Sequence, residues 1–205
     1  MAKQDKGVLG SRIVGGNSAF GRNKSDFYPT PPEATQGLLD FLKIDPGTII
    51  WEPACGEGHM VDVMTQNGLN VIGSDIQSGT DFLTAELPEG VKWIITNPPF
   101  SLAEDFIKKC SSHRVPFALL LKSQYWHAAR RLSLFMEHPP MYVLPLTWRP
   151  DFTFKTRGKG SPLMDVIWCV WGIQDDFVSP TAYVPLAKPP LEVTEDESGR
   201  ILGAS

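Results

Sequence analysis

The stretch Thr48-Ile49-Ile50-Trp51-Glu52-Pro53-Ala54-Cys55-Gly56-Glu57-Gly58 decides the fold of this 205-residue chain. Its apolar first half predicts a buried strand, and its two glycines predict a tight turn into an amphipathic helix through Val61, Val63 and Met64. A strand, a glycine turn and a helix in this order are typical of a nucleotide-binding βα unit, because the glycines let the backbone pass close to a ligand and the helix N–H groups face an anionic group. Val61 stands where a dinucleotide site has a third glycine, so a purely structural turn is the alternative.

Six further apolar segments predict strands, at about 71–75, 79–83, 93–96, 117–121, 141–144 and 164–171. Helical patterns separate most of them, including one at about 125–137. This alternation predicts a doubly wound, mostly parallel, seven-stranded sheet of the α/β class. The last two strands are joined by a loop instead of a helix, which predicts one antiparallel strand at the end of the sheet. Another helix, capped by Thr30 or a neighbour, is expected to begin near Pro31 and Pro32.

The tetrapeptide Asn97-Pro98-Pro99-Phe100 follows the apolar segment 93–96, at the carboxyl edge where open α/β sheets bind their ligands. Two consecutive prolines hold the chain extended and donate no backbone hydrogen bond, so the carbonyls of Asn97 and Pro98 are free to accept. Phe100 adds a flat surface on which a planar group can stack. Acceptors beside a stacking face suit an exocyclic amine on a ring, although an ordinary strand-to-helix turn uses the same residues.

Two aspartates extend this edge. Asp75 ends the second predicted strand, the position from which α/β proteins accept the hydroxyls of a ribose. Asp81 can accept from an adenine amino group while Phe82 packs on the ring, or it can cap a helix. Upstream, the aromatic and proline-rich segment 26–33 can wall a small-molecule pocket or only form the entrance to a helix.

Length and a hydrophobic content of 42% indicate one domain. Three widely spaced cysteines without a CxxC pair predict a reduced, cytoplasmic protein without a structural metal. No signal-like start is present and no apolar run reaches about 18 residues, so no membrane segment is expected. We expect a flexible N-terminal arm over residues 1–25, the main domain over 26–180 and an extended acidic tail over 181–205.

The net charge is −4, but the segment from Lys122 to Lys159 carries seven basic residues against two acidic ones. Such a segment either faces phosphates or is a solvated surface. The candidates for nucleic-acid contact are Lys122, Arg130, Arg149, Lys155, Arg157 and Lys159, in and beside the region 123–162. Basic residues of the N-terminal arm either contact nucleic acid as well or have no such role.

Five motifs taken together resemble the S-adenosylmethionine-dependent DNA adenine-N6 methyltransferases. They are the segments 26–31 and 52–58, Asp75, the pair Asp81-Phe82 and the tetrapeptide 97–100. Their order resembles the gamma arrangement, in which an aromatic/Thr-Pro loop precedes the glycine turn and the Asn-Pro-Pro-aromatic motif follows both. The resemblance covers about residues 26–171. It implies a Rossmann-like class I methyltransferase fold for the main domain, S-adenosylmethionine as cofactor, DNA as substrate and a flipped target adenine.

The resemblance also implies roles for individual residues. Those around the cofactor are Phe27, Tyr28 and Thr30 at its methionine end, Glu52, Ala54, Gly56 and Gly58 as the floor, Asp75 at the ribose, and Asp81 and Phe82 at the adenine. The catalytic motif is Asn97, Pro98, Pro99 and Phe100, with Asn97 and the Pro98 carbonyl holding the target amine and Phe100 stacking on the base. Phe152 or Phe154 resembles the aromatic residue on the other face of the base.

Unlike larger relatives, the chain is expected to lack a substantial target-recognition domain, so either recognition is relaxed or a homodimer or an accessory specificity protein contributes. Methylation of an RNA amine or a protein glutamine amide is the nearest alternative, and the aromatic/Thr-Pro loop favours DNA over it. A catalytically silent nucleic-acid-binding relative is a second alternative, disfavoured by the intact motifs. An NAD-dependent oxidoreductase is a third, disfavoured by Val61.

Overall fold

A computed structural model describes residues 28–152, 164–172 and 180–190, together with the backbone of residues 194–195 and 201–202. Seven strands form one sheet in the order β2-β1-β3-β4-β6-β5-β7. They are β1 (Ile49–Glu52), β2 (Asn70–Gly73), β3 (Trp93–Thr96), β4 (Phe117–Lys122), β5 (Tyr142–Pro145), β6 (Val166–Trp171) and β7 (Ala182–Tyr183). Neighbours pair in parallel except at β6, which is antiparallel to β4 and β5. The predicted α/β class and the mostly parallel seven-stranded sheet are therefore confirmed. A separate two-stranded ladder pairs β8 (Thr194–Glu195) with β9 (Ile201–Leu202).

The strand predicted at 79–83 does not form. Gly79 turns the chain with a φ of 94°, and the N–H groups of Thr84 and Ala85 both donate to the Asp81 carbonyl, so this segment is a turn and β2 is an edge strand. The seventh strand is β7, which pairs with β5 although the sequence places it in the expected tail. The antiparallel strand was also expected at the end of the sheet, but β6 lies between β4 and β5. All six of its residues are buried, and a strand buried along its whole length needs a neighbour on each side.

Four helices cover the two faces of the sheet: α1 (Pro32–Leu42), α2 (His59–Gln66), α3 (Ala103–Ser112) and α4 (Leu132–Glu137). The long helix predicted at 125–137 is divided. Short 3-10 turns span Ser123–Trp126 and Ala129–Arg131, and Ala128 between them has an extended φ of −139°, which interrupts the helical hydrogen bonds. Only the last six residues of the predicted segment are α-helical.

Alternate side chains of each central strand enter the two halves of the core, as strand geometry requires. Ile50 packs with residues of α1 and α2, whereas the next residue, Trp51, packs with residues of α3 and α4. Trp168 of β6 is fully buried and donates a 2.8 Å hydrogen bond from its indole nitrogen to the carbonyl of Ala34 in α1. This bond fixes α1 against the sheet, and α1 in turn positions the segment that precedes it.

No helix in the described ranges is long and apolar enough to cross a membrane. The part of the chain that the structure describes also holds no group of three or more His, Cys, Asp or Glu residues suited to a metal ion. The three cysteines, Cys55, Cys110 and Cys169, are all unpaired.

Candidate active site

A cleft opens at the carboxyl edge of β1, β2 and β3, where the crossover direction of the chain changes and α/β sheets bind ligands. It holds about 620 Å³ of empty space, counting the part open to solvent, which falls within the usual range for small-molecule sites. Its walls come from three places: the segment before α1, the turn between β1 and α2, and the ends of β2 and β3. The lining residues are Tyr28, Pro29, Thr30, Glu52, Ala54, Cys55, His59, Met60, Asp75, Ile76, Gln77, Asn97, Pro98 and Pro99.

The glycine turn brings β1 and β2 together at the floor of the cleft. Gly56 and Gly58 have φ angles of 52° and 85°, in the left-handed region that favours glycine. The Gly56 N–H donates a 3.0 Å hydrogen bond to the Asp75 carboxylate, and the Gln77 N–H donates a 2.9 Å bond to the other carboxylate oxygen. Each carboxylate oxygen can accept a second bond, so Asp75 is held in place by the backbone and can still accept from a ligand.

Glu52 is a buried acid at the end of β1, with 2% of its surface exposed. Its carboxyl accepts a hydrogen bond from the backbone N–H of Val61, and its Oε2 atom has no partner. Burial raises the pKa of Glu52 to about 8, and the nearby charge of Asp75 raises it further while the Val61 bond opposes the shift. A buried, unpartnered carboxyl in the cleft wall suits a cationic or hydrogen-bond-donating ligand group.

The amide of Asn97 is anchored on its nitrogen side. Its Nδ2 atom donates two 3.0 Å hydrogen bonds, one to the Tyr28 carbonyl and one to the Thr30 hydroxyl. Because a carbonyl oxygen can only accept, the atom that faces Tyr28 must be the amide nitrogen. Both amide hydrogens are therefore used, and the Oδ1 atom is buried without a partner. Asn97 thus presents a fixed acceptor.

Aromatic rings and a lysine lie beside this acceptor. The Tyr28 and Phe100 ring centroids are 5.6 Å apart with an interplanar angle of 37°, and Phe152 meets Tyr28 edge-on at 6.3 Å. The Lys122 Nζ atom lies 4.3 Å from the Phe100 centroid and 5.4 Å from the Tyr28 centroid. An oriented acceptor next to aromatic faces is suited to a planar ring that carries an amine.

Most of the residues expected at the cofactor and at the catalytic motif are brought together here: Tyr28, Thr30, Glu52, Ala54, Asp75, Asn97, Pro98 and Pro99 line the cleft. Gly56 and Gly58 shape its floor, and Phe100 lies at its side. The expected cap of α1 is wrong, because no side chain caps that helix and the Thr30 hydroxyl binds Asn97 instead.

Two expected adenine contacts lie elsewhere. Phe82 is 3% exposed and packs against Trp51 and Phe106, so the ring belongs to the core and not to the cleft. The Asp81 carboxylate accepts from the Leu83 N–H within its own turn and is not among the lining residues. Phe27 lies outside the described residues.

Six lining residues were not expected from the sequence: Pro29, Cys55, His59, Met60, Ile76 and Gln77. Ile76 had a signal that could have found it, because an isoleucine directly after the acid that ends β2 is exposed to 69% in a place where an apolar ligand surface can cover it. The others lie in the cleft because the loops fold back on themselves, which no residue pattern indicates.

The basic region has a mixed outcome. Arg149 pairs with Asp165 at 2.7 Å, and both side chains are about half exposed. Arg131 lies 3.9 Å from the centroid of the Tyr125 ring and donates to the Tyr125 carbonyl, whereas Arg130 is exposed. Phe154, Lys155, Arg157 and Lys159 lie outside the described residues.

Solved structures with a similar fold are methyltransferases by description. A protein from Listeria monocytogenes assigned as a class I S-adenosylmethionine-dependent methyltransferase is 11% identical with a TM-score of 0.55, covering 87% of this chain and 71% of that one. A protein from Vibrio vulnificus assigned as the modification subunit of a type I restriction enzyme is 12% identical with a TM-score of 0.55, covering 96% and 62%. The methyltransferase subunit of a type I restriction-modification system from Streptococcus thermophilus is 13% identical with a TM-score of 0.51, covering 84% and 52%.

The chain thus spans less than two thirds of the length of the two restriction-modification subunits. No protein-family model matches the sequence, and a search of curated proteins finds no match either. At these identities the similarity shows the fold, which is that of the class I methyltransferases, as predicted.

Proposed function

We propose that the chain is an S-adenosylmethionine-dependent methyltransferase that acts on the N6 amine of adenine in DNA. One observation carries the proposal: the Asn97 amide is held by its nitrogen, and its buried Oδ1 atom is aimed at the cleft without a partner. A buried acceptor without a partner is costly, so a donor from a ligand is the expected complement. An exocyclic amine supplies that donor, and the Phe100 ring beside it supplies a surface for the base to stack on.

The proposed cofactor site uses the floor and walls of the same cleft. Asp75, fixed by two backbone N–H groups, accepts the ribose hydroxyls. The Glu52 carboxyl, buried and partly unpaired, faces the α-ammonium end, and Ile76 covers the adenine ring in place of Phe82. Tyr28, Thr30, Ala54, Gly56 and Gly58 complete the proposed cofactor-binding set. S-adenosylmethionine, when bound, supplies an electrophilic methyl group on a sulfonium.

The mechanism follows from the chemistry of the amine. The N6 lone pair of adenine is delocalised into the ring, and two acceptors, Asn97 Oδ1 and the Pro98 carbonyl, draw the two amine hydrogens out of the ring plane and localise that pair on nitrogen. The nitrogen then attacks the methyl carbon in line, so that a C–N bond forms as the C–S bond breaks. The methylated nitrogen is acidic and loses its proton to water, so positioning and electrostatics account for most of the rate enhancement.

DNA is the proposed substrate because of the order of the five sequence motifs and because two structures of similar fold are described as parts of DNA restriction-modification systems. A duplex must present the adenine outside the helix, since N6 is occupied in a base pair, at a cost of a few kcal/mol offset by stacking and pocket hydrogen bonds. Lys122 and Arg130, with Arg149, Phe154, Lys155, Arg157 and Lys159, are the proposed contacts to the strand, so binding is expected to weaken with salt.

The test is to incubate the purified protein with methyl-labelled S-adenosylmethionine and DNA, RNA or protein, and to identify the labelled product. Label at N6 of deoxyadenosine is the expected result. Label at cytosine, or only in RNA or in protein glutamine, would assign a different substrate to the same cleft. Calorimetry with the cofactor alone separates an inactive binding protein from a protein that does not use this cofactor.

Asn97→Ala removes the acceptor and is expected to lower the transfer rate by a factor of about 100 or more, as does loss of one preorganised hydrogen-bonding group in other enzymes. Asn70→Ala is the matched control, because Asn70 also binds a backbone carbonyl, that of Gly47, but lies at the opposite, amino edge of the sheet. An unchanged rate in Asn97→Ala would remove Asn97 from the mechanism.

A further inference from the structure

The ammonium of Lys122 occupies the aromatic surface beside the Asn97 acceptor. Lys122 is the last residue of β4, and its backbone is fixed opposite Val166 of β6. From there the side chain reaches over two rings, with Nζ 4.3 Å from the Phe100 centroid and 5.4 Å from the Tyr28 centroid. These distances are within the range of a cation–π interaction.

This position conflicts with the arrangement that the proposed reaction requires. Phe100 is partly buried and packs against the core on one side, so the ring has one main face available to the cleft. A base held at Asn97 Oδ1 stacks on that face, which the ammonium covers. The two cannot share the face, and a cation–π contact at a partly exposed site is weak enough for an entering base to displace.

The displaced ammonium remains tethered at the mouth of the cleft, because β4 holds the backbone of Lys122. A nucleotide that inserts its base brings its own phosphates to that mouth. An ammonium is strongly attracted to a phosphate and, unlike a guanidinium, needs no fixed geometry to bind it. The same side chain therefore finds a partner in both states.

We propose that Lys122 holds the base-stacking face of Phe100 in the free protein and passes its ammonium to a phosphate of the target nucleotide when the base enters. The inference rests on the proposed function and adds to it a preference for nucleotides over ligands without a phosphate. Nucleosides and protein amides can reach the Asn97 acceptor, but they offer nothing to the released ammonium.

The test compares 2′-deoxyadenosine with its 3′- and 5′-monophosphates by NMR titration of the full-length protein labelled with ¹³C-lysine. In the free protein the ε-methylene signal of Lys122, identified by its loss in Lys122→Met, is expected upfield of the other lysine signals because of the ring currents. Both ligand types are expected to return it toward the others. The wild type is expected to bind at least one monophosphate about fivefold more tightly than the nucleoside, the size typical of a partly exposed ion pair.

Lys122→Met keeps an unbranched apolar side chain over the rings and is expected to bring the ratio of nucleoside to nucleotide dissociation constants to about one. Lys92→Met is the matched control, since Lys92 is exposed and precedes β3 at the amino edge of the sheet, away from the cleft; its ratio should equal that of the wild type. If the nucleoside binds while the Lys122 signal stays in place, or if Lys122→Met retains the nucleotide preference, the inference is wrong and the proposed function stands. If neither ligand binds to any variant, both fall together.

Discussion

Thr30 has two candidate roles that a single substitution separates. The sequence motif assigns it to the cofactor, whereas in the structure its hydroxyl accepts from Asn97, and only 4% of the residue is exposed. Thr30→Val keeps the shape and removes the acceptor, which leaves a buried amide hydrogen unpaired at a cost of about 1–3 kcal/mol. If Thr30 positions Asn97, kcat is expected to fall about tenfold or more while the dissociation constant of the cofactor changes little.

Thr30→Ser is the rescue control, because it restores the acceptor without the methyl group. Steady-state kinetics together with calorimetry of cofactor binding measure the two quantities. A weaker cofactor affinity with unchanged kcat would return Thr30 to the cofactor and remove it from the support of Asn97. Equal losses in the Val and Ser variants would indicate a packing role for the methyl group.

Glu52 is expected to make the stability of the free protein depend on pH. Its pKa rises from 4.5 to about 8 on folding, so between these values the folded state holds a proton that the unfolded state has lost. The free energy of unfolding therefore falls as pH rises through this window, by at most about 1.4 kcal/mol per pH unit, and the stabilisation present below pH 4.5 is lost above about 8. Glu52→Gln cannot titrate and should flatten this part of the curve.

Urea unfolding at several pH values between 4.5 and 8 measures the effect as the difference between the wild type and Glu52→Gln. The exposed Glu57 of the same turn offers the control Glu57→Gln. A difference that does not vary with pH would show that the Glu52 carboxyl is already ionised when buried, paired with a group inside the cleft.

The glycine turn between β1 and α2 is expected to affect both stability and ligand binding. Gly58 has a φ of 85°, and no atom lies within 4 Å of the position that a Cβ would take, so Gly58→Ala is limited by backbone strain and not by space. The strain costs about 1 kcal/mol or more and pulls the turn toward negative φ, away from the floor of the cleft. Gly47→Ala at φ 80°, before β1 at the opposite edge, carries the same strain and an equally open site.

Both alanine variants should therefore lose similar stability in thermal unfolding, but only Gly58→Ala should weaken binding of S-adenosylmethionine by calorimetry. Equal cofactor affinity in the two variants would mean that the turn is structural and that the cofactor does not depend on its backbone. This comparison decides the alternative that the sequence leaves open at Val61.

Strands with strong local patterns were predictable, and elements that depend on distant partners were not. β4 and β6 are continuous apolar segments, buried along their length, and their burial is visible in the sequence. The segment 79–83 has the same apolar character at Phe82, but that ring fills a core site beside Trp51 while the backbone turns, so apolarity indicates burial there without strand pairing. β7 has two residues and exists because the edge of β5 is available to pair with it.

The cleft was predictable in its residues and not in its connections. Asn97, Asp75 and Glu52 each follow or end a predicted strand, so the common carboxyl edge brings them together. The hydrogen bonds from Asn97 to the segment before α1 span 67 and 69 residues and depend on how α1 docks on the sheet. The Trp168 to Ala34 bond that fixes this docking spans 134 residues. Patterns of adjacent residues contain no information on such contacts.

The fold extends beyond the domain boundary expected at residue 180, and truncation can test this. Ala182–Tyr183 pairs with β5, the Leu186 N–H donates to the Pro145 carbonyl, and Leu186 is 6% exposed within the core beside α1. A chain that ends at Pro180 loses these contacts and exposes β5 as an edge strand, so its free energy of unfolding is expected to fall by at least about 2–5 kcal/mol, the usual cost of emptying one buried leucine site. A chain that ends at Pro190 keeps β7 and Leu186 and is the matched control, expected to retain most of the stability. Because Leu186 and the α1 residue Gly37 are neighbours, the loss should reach α1 and, through it, the segment that holds Asn97. Urea unfolding and cofactor calorimetry on both truncations distinguish the outcomes: equal stability of the two chains would restore the boundary at 180, and a destabilised chain with unchanged cofactor affinity would confine the contribution of β7 to the far side of the sheet.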